Sequence, residues 1–368
     1  MLTKKGCCVT QQPYFCATKC CWLKRIFNWE RLPFFVIYAP FIFLWSYYWA
    51  LSRRFWFFSN VNPTMYFSGF EGETKQEMFS QLPQEFCPVG IYIEPGQTFE
   101  KVLCQVKQAG LKFPFAVKPD VGTKGLLFRK IENEEQLKKY HALLPFTYMV
   151  QELITLPLEL SVFHVRYPDE QKGMITGMIA KEYLHVKGDG VSTLRKLIES
   201  HPKAFMIEDE QKHKHKESLD EIIPENDIYL LNELGNHNRG ATFLNLQDKI
   251  DDSLLKVFDE ISLYSNYFYY GRYDIKTTSI EDMKAGKNFS ILEFNGVGSE
   301  PNHIYDIGLS YMQALRIIAQ HWKYMYEIGR INFQKGIPYI PFWKGIRMAT
   351  DSQKNVKRMK QLDLECDF

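Results

Sequence analysis

The chain has 368 residues, enough for two or three domains and a sizeable core. A charged fraction of 24% beside an apolar fraction of 45% excludes a mainly disordered chain. The net charge of +2 hides an uneven split: residues 1–59 carry +7, residues 60–330 carry −8 and residues 331–368 carry +3. An acidic middle excludes a general nucleic-acid binder, which needs a basic stripe to neutralise phosphates, and the basic ends suit an anionic membrane surface.

Residues 1–31 form a basic tail with five of the eight cysteines, Cys7, Cys8, Cys16, Cys20 and Cys21. No pair of two-residue gaps supports a zinc knuckle, so a reduced chain with membrane-proximal cysteines is the simpler reading. From Leu32 to Ser52 there are 21 residues without a charge, flanked by Arg31 on one side and Arg53 and Arg54 on the other. At about 1.5 Å per residue such a helix just spans a bilayer core of about 30 Å. Pro40 bends it near its middle, and its many Tyr and Trp residues favour the membrane interface. With the aromatic run Phe55–Phe58, the segment 32–58 is expected to be membrane-associated.

Residues 60–112 open with turn formers and hold an amphipathic helix over 97–109. Strands are expected at 113–118, 148–153, 160–166, 177–184, 268–276 and 289–294, and helices at 134–144, 193–200 (capped by Ser192), 254–264 and 311–329. Strands and helices mix without regular alternation, which favours an α+β fold over a doubly wound sheet.

Two stretches carry chemistry. In the first, the apolar run Phe113–Val117 ends at Lys118, and Asp120-Val121-Gly122-Thr123-Lys124-Gly125 follows before apolar residues resume at Leu126. A strand–glycine loop–strand unit of this kind can fold backbone N–H groups over phosphates, with the lysine supplying charge; a plain hairpin with an exposed lysine is the other reading. In the second, Arg272 and Asp274 are two apart on one strand, and Glu293 and Asn295 are two apart on another, so each pair shares a face. Adjacent strands would bring Asp274, Glu293 and Asn295 together, three oxygen ligands that suit Mg²⁺.

Taken together these motifs resemble the ATP-grasp superfamily, nearest to the D-alanine–D-alanine ligase and cyanophycin or glutathione synthetase type. The likeness runs from about Lys75 to Tyr311. It implies two α+β subdomains clamping ATP, over residues 113–330, preceded by a reduced region at 60–112 and followed by a basic extension at 331–368. It further implies phosphate binding by Lys118, by the loop Gly122, Thr123, Lys124 and Gly125, and by Lys75 and Lys181. Glu152, ending Val150-Gln151-Glu152, would meet the adenine, and Glu159 the ribose. Asp274, Glu293 and Asn295 would hold one or two Mg²⁺ ions, and Arg272 would steady negative charge during acyl transfer. Arg239, in Gly235-Asn236-His237-Asn238-Arg239-Gly240, would contact a substrate carboxylate or phosphate.

The resemblance therefore implies ATP-dependent joining of a carboxylate to an amine or other nucleophile through an acyl-phosphate. A phosphotransferase acting on a hydroxyl and a non-catalytic nucleotide-binding scaffold are the alternatives. Ligases of this type carry a full α/β domain before the earlier lysine, and here a hydrophobic segment stands in its place. A small-molecule or lipid-linked substrate is expected. ATP use places residues 60–368 in the cytosol, whereas the positive charge of residues 1–31 keeps the N-terminus inside as well. An anchor lying in the interface over 32–58 resolves that conflict better than a single span.

Overall fold

The computed structural model describes residues 29–32, 34–123, 125–232 and 235–366. The cysteine-rich stretch 1–28 and Lys124 of the predicted phosphate loop lie outside the described residues. The chain divides into two compact units, Met1–Ile42 and Phe43–Phe368. The first contains a short helix, Phe34–Tyr38. A second helix, Phe41–Ser52, starts after Pro40 and belongs mainly to the second unit.

The expected hydrophobic segment is thus broken at Ala39-Pro40 into helices of five and twelve residues. Twelve residues rise about 18 Å, well short of a bilayer core. Among the described residues no helix is long and apolar enough to cross a membrane.

Strands β1 (Gly90–Ile93), β2 (Phe115–Pro119), β3 (Arg129–Ile131) and β4 (Tyr148–Glu152) form an antiparallel sheet in the order β1-β4-β2-β3. Strands β5 (Leu158–Val165) and β6 (Met174–Glu182) belong to a second sheet. A two-stranded antiparallel sheet, β7 (His185–Lys187) with β8 (Ile228–Leu230), is separate from it. With β9 (Thr242–Asn245), β10 (Tyr270–Thr277) and β11 (Phe289–Asn295), the second sheet runs β11-β10-β5-β6-β9, also antiparallel throughout. This is a mixed α+β architecture built on antiparallel sheets.

Local chemistry sets the helix starts. Thr98, Asn133, Asp251 and Ser310 each accept a hydrogen bond from the backbone three residues on, and Ser310 with Gln313 completes a reciprocal capping box. Thr193 rather than Ser192 caps the helix Leu194–Ser200, because the Ser192 hydroxyl is spent on Asp189 Oδ2 at 2.7 Å.

Both faces of the second sheet are covered. On one, Leu160, Val162, Tyr273 and Ile275 pack with Leu254, Phe258 and Ile261 of the helix Asp252–Ser265. On the other, Phe163, Val165 and Tyr270 meet Trp56, Phe57, Phe58 and Phe67, together with Met325 and Ile328 of the helix Tyr311–Gln334. The aromatic run counted with the membrane segment is therefore core: Phe57 is fully buried and Phe58 is 2% exposed. A sheet with two apolar faces needs two apolar coverings, and residues 56–58 supply part of the second.

Residues 331–368 are not an appendage. The helix Tyr311–Gln334 runs into them, and a 24-residue helix, Phe342–Glu365, packs Met348 into the core beneath the second sheet and Met359 and Cys366 into the core of the first.

Phe57→Ala should destabilise the protein by about 3–5 kcal/mol, the usual cost of emptying a buried aromatic site. Urea unfolding measures it. A loss below about 1 kcal/mol would show that residues 55–58 are not core.

Candidate active site

The site lies where β10 and β11 face the turn after β2. Asp274 is directly opposite Glu293 in the β10–β11 register, and Arg272 opposite Asn295. The side chains of the four meet. Arg272 donates to Asp274 Oδ2 at 3.1 Å, and Asn295 Nδ2 donates to the same oxygen at 3.0 Å and to Glu293 Oε2 at 3.5 Å. From β5, Ser161 stands opposite Asp274 in register and donates to its Oδ1 through a short hydrogen bond.

Lysines surround these carboxylates. Lys181, on β6, reaches Asp274 Oδ1 at 2.9 Å and Glu159 Oε1 at 3.1 Å, and Tyr183 donates to the other oxygen of Glu159. Lys75 lies 3.5 Å from Glu293 Oε1. Its position follows from Asp120. The Asp120 carbonyl accepts from Lys75 N at 3.0 Å and its carboxylate from Gln76 N at 2.9 Å, so the turn after β2 holds the start of the helix Lys75–Phe79. Gly122 lies close by, where a Cβ would stand 3.6 Å from Lys75 Nζ.

Lys118 is different. Its Nζ donates to the Leu292 carbonyl at 3.2 Å and sits 5.4 Å from the centre of the Phe79 ring. Among the described residues no carboxylate lies within salt-bridge distance of it. Burial, followed by the charge of Lys75, pulls its ammonium down to about 7, with Glu293 opposing.

Asp274 shows the opposite balance. Burial would raise its carboxyl, but Arg272 and Lys181, with the hydrogen bonds from Ser161 and Lys181, hold it well below the usual carboxylate range. Burial would lower Lys181 and Arg272, yet the carboxylates raise both, and each stays cationic. The site is a buried ionic network with one lysine left over.

The donor set fits a divalent cation. Two carboxylates and one amide converge, and the Asn295 amide nitrogen bridges Asp274 and Glu293 as a cation would. Turning that amide over presents its oxygen to the same point. The Nε of Arg272 is buried with no hydrogen-bond partner among the described residues, which leaves a donor for a further anion.

Other predicted residues fall at different distances from this centre. Glu152 ends β4 on the rim of the first sheet and returns its carboxylate to Val89 N at 3.1 Å. Glu159 has one partner on each oxygen, Lys181 on Oε1 and Tyr183 on Oε2. Gly235 packs against it, for a Cβ there would lie 2.4 Å from Glu159 Oε1. Arg239 sits in the turn His237–Arg239 and pairs with Glu210 at 3.5 Å rather than with the central group. Thr123 and Gly125 occupy the glycine loop, but apolar residues do not extend the strand at once. Residues 125–127 turn, Leu127 takes φ +58°, and β3 begins only at Arg129.

Sequence reasoning missed three contributors. Ser161 belongs to an ordinary strand pattern and is revealed only by its partner in register. Glu73 contributes a buried carboxylate beside Lys75 and Glu293; burial first, and then Glu293 and Glu71, raise it despite Lys75 and a backbone hydrogen bond. Asp363, near the chain's end, accepts from Leu127 N at 2.8 Å and pairs with Arg129 at 3.0 Å, fastening the base of the glycine loop to the last helix.

No family model matches this sequence, and no curated protein matches it. Among solved structures, the chain is similar to a bifunctional glutathione synthetase from Pasteurella multocida, at 16% identity over 68% of this chain and 36% of that one, with a TM-score of 0.39. It is also similar to the VanG D-Ala:D-Ser ligase from Enterococcus faecalis, at 14% identity over 67% and 61%, with a TM-score of 0.38. A third likeness is to a D-alanine–D-alanine ligase from Bacillus anthracis, at 11% over 69% and 68%, with a TM-score of 0.37. The matched part thus spans about a third of the first protein and slightly under two thirds of the second, and all three TM-scores lie below one half.

Lys118 generates a prediction. The folded chain gives up this proton near pH 7, whereas the unfolded chain keeps it to about 10.4. Between those values the unfolded state binds more protons, so the penalty for burying this group is full below about 7 and fades as pH rises towards about 10.4. Lys118→Met should therefore melt higher than wild type at pH 7, and the gap should close towards pH 10. A gap that does not change with pH in scanning fluorimetry would refute the assignment.

Proposed function

We propose that this protein is an ATP-dependent ligase that joins a carboxylate to an amine, with release of ADP and phosphate. The observation that carries this reading is the half-buried Lys118, with no carboxylate partner, beside Lys75 at the edge of the Asp274–Glu293–Asn295 group. A lysine with no carboxylate of its own calls for an anion, and a carboxylate–amide group beside it calls for the metal that accompanies a polyphosphate.

In this reading Lys118 and Lys75 neutralise phosphate oxygens, and the backbone of Gly122–Gly125 covers them. Binding phosphate restores to Lys118 the proton that burial removes. Asp274, Glu293 and Asn295 would hold Mg²⁺, which supplies charge neutralisation at the transferring phosphoryl group when bound. Lys181 and Ser161 fix the Asp274 carboxylate, and Arg272, anchored on Asp274 and on the Glu300 carbonyl at 3.3 Å, offers its unpaired Nε to the oxyanion that develops as the acyl group moves to the amine. The enzyme's work is mainly positioning and charge compensation.

With ATP as substrate the domain works in the cytosol. The Glu159 carboxylate, already shared by Lys181 and Tyr183, would take a ribose hydroxyl as a further partner, and Glu152 and the adjoining main chain would border the base.

Assays of ADP and free phosphate release with panels of amino acids, peptides and lipid-linked carboxylates test the proposal. Both products should appear only when carboxylate and amine are present together; ADP without free phosphate would identify a phosphotransferase instead. Glu293→Gln should lower turnover at least about 100-fold, as removal of a charged group at a phosphoryl-transfer centre does, while the thermal melt stays cooperative. Normal turnover in that variant would overturn the metal assignment.

A further inference from the structure

The helix Phe41–Ser52 is apolar on both faces. Tyr48 and Trp45 point into the core, where Trp45 meets Trp56, Phe57, Phe58 and Trp322 at ring-centre distances of 5.4–5.9 Å. The opposite face carries Phe43 and Tyr47, one turn apart and 80% and 56% exposed, where a soluble helix normally carries charge. The start of the last helix adjoins another flank, at Trp49, which is one turn from Trp45 and 48% exposed. Phe55 stacks edge-on with both Trp49 (5.5 Å) and Phe342 (5.1 Å), and Trp56 Nε1 donates to the Phe342 carbonyl at 3.0 Å. Next to Phe342, Trp343 is 77% exposed.

Charge marks the border of this aromatic patch. Arg53 and Arg54 lie at the end of one helix and Lys344 and Arg347 on the first turns of the other, all exposed. Among the described residues none of the four has a carboxylate within salt-bridge distance. The sequence explains why: neither 43–70 nor 328–350 contains an acidic residue.

We propose that Trp49, Phe342, Trp343 and their border of Arg53, Lys344 and Arg347 form a composite docking surface for an anionic phospholipid bilayer. Aromatic side chains with polar tips settle at headgroup depth, and guanidinium and ammonium groups around them meet lipid phosphates. A second copy of the chain fits less well. Two-fold pairing would set each cationic border near its own like, with no acid to relieve it. The surface differs from an anchor confined to 32–58. It uses only the Trp49–Arg53 end of that stretch, returns Trp56–Phe58 to the core, and adds a turn of helix 290 residues further on. It does not depend on the ligase reading.

Flotation of the full-length protein with vesicles tests it. Binding should be clear with vesicles containing phosphatidylglycerol, weak with phosphatidylcholine alone, and reduced by salt. Lys344→Gln with Arg347→Gln should lower affinity for the anionic vesicles by about tenfold or more, while the melting temperature stays unchanged. These substitutions leave residues 1–42 intact, so wild-type affinity in the double variant would overturn the surface and place any lipid binding in that stretch. In the wild type, brominated acyl chains should quench tryptophan fluorescence, and Trp343→Phe should remove part of that quenching. This readout decides the matter if the double variant fails to fold. Equal quenching in both proteins would overturn the proposal, as would self-association that the double variant abolishes without any vesicle binding.

Discussion

Everything at the centre of the molecule turns on how Asp274 is kept ionised while buried. A carboxylate taken out of water loses several kcal/mol of solvation unless cations and hydrogen bonds replace it. Here Arg272, two residues along the same strand, and Lys181, two strands away on β6, replace it together with Ser161 and Asn295. Four strands must hold their register for these groups to meet. A one-residue slip of β11 would turn Glu293 and Asn295 to the other face, leaving Asp274 without Asn295. The ionic network is weak evidence for net stability, but it penalises every misregistered alternative heavily.

Register is enforced from outside the sheet by the segment that follows the aromatic run. Asn62 accepts from Tyr269 N and Tyr270 N at 3.0 and 3.1 Å and donates to Tyr270 O at 2.8 Å, pinning the entry of β10. The exit of β11 is pinned next door, where Val297 N and Gly298 N donate to Ser68 O and Gly69 O. Gly69 and Gly296 approach so closely that a Cβ on Gly69 would lie 2.8 Å from Gly296 Cα, and φ +73° at Gly69 excludes most side chains in any case. The region 60–70, short and rich in turn formers, therefore clamps the two strands that carry Arg272, Asp274, Glu293 and Asn295.

The sequence made those strands legible because alternation places charged residues two apart within apolar runs, and a strand pair can be inferred from the polar turn between them. The lysine after Phe113–Val117 was legible for a similar reason, as a charge where an apolar strand ends. Long-range partners left no local trace. Nothing near Asp363 points to Leu127, 236 positions earlier, and nothing near Asn62 points to Tyr270. The aromatic run Phe55–Phe58 misled for a physical reason: composition alone cannot distinguish side chains that face lipid from side chains that fill a protein core, since both environments are dry. The outer and inner faces of Phe41–Ser52 become distinguishable only when the sheet that covers one of them is known.

The last helix connects these two regions of the chain. Its 24 residues extend about 36 Å at 1.5 Å per residue. One end is seated on Trp56, so tightly that a Cβ at Gly345 would lie 2.2 Å from the indole nitrogen, and the other end holds the glycine loop through Asp363 and Arg129. Arg129 also donates to the carbonyls of Asp363 and Cys366 at 3.2 and 2.9 Å, which uses the helix's unsatisfied C-terminal acceptors. A helix fixed at both ends transmits position with little slack. The base of the loop at Leu127–Arg129 is accordingly held at a set distance from the Trp56 end of the helix. The same strut that fills the core of the first sheet thus fixes where the chain returns to β3.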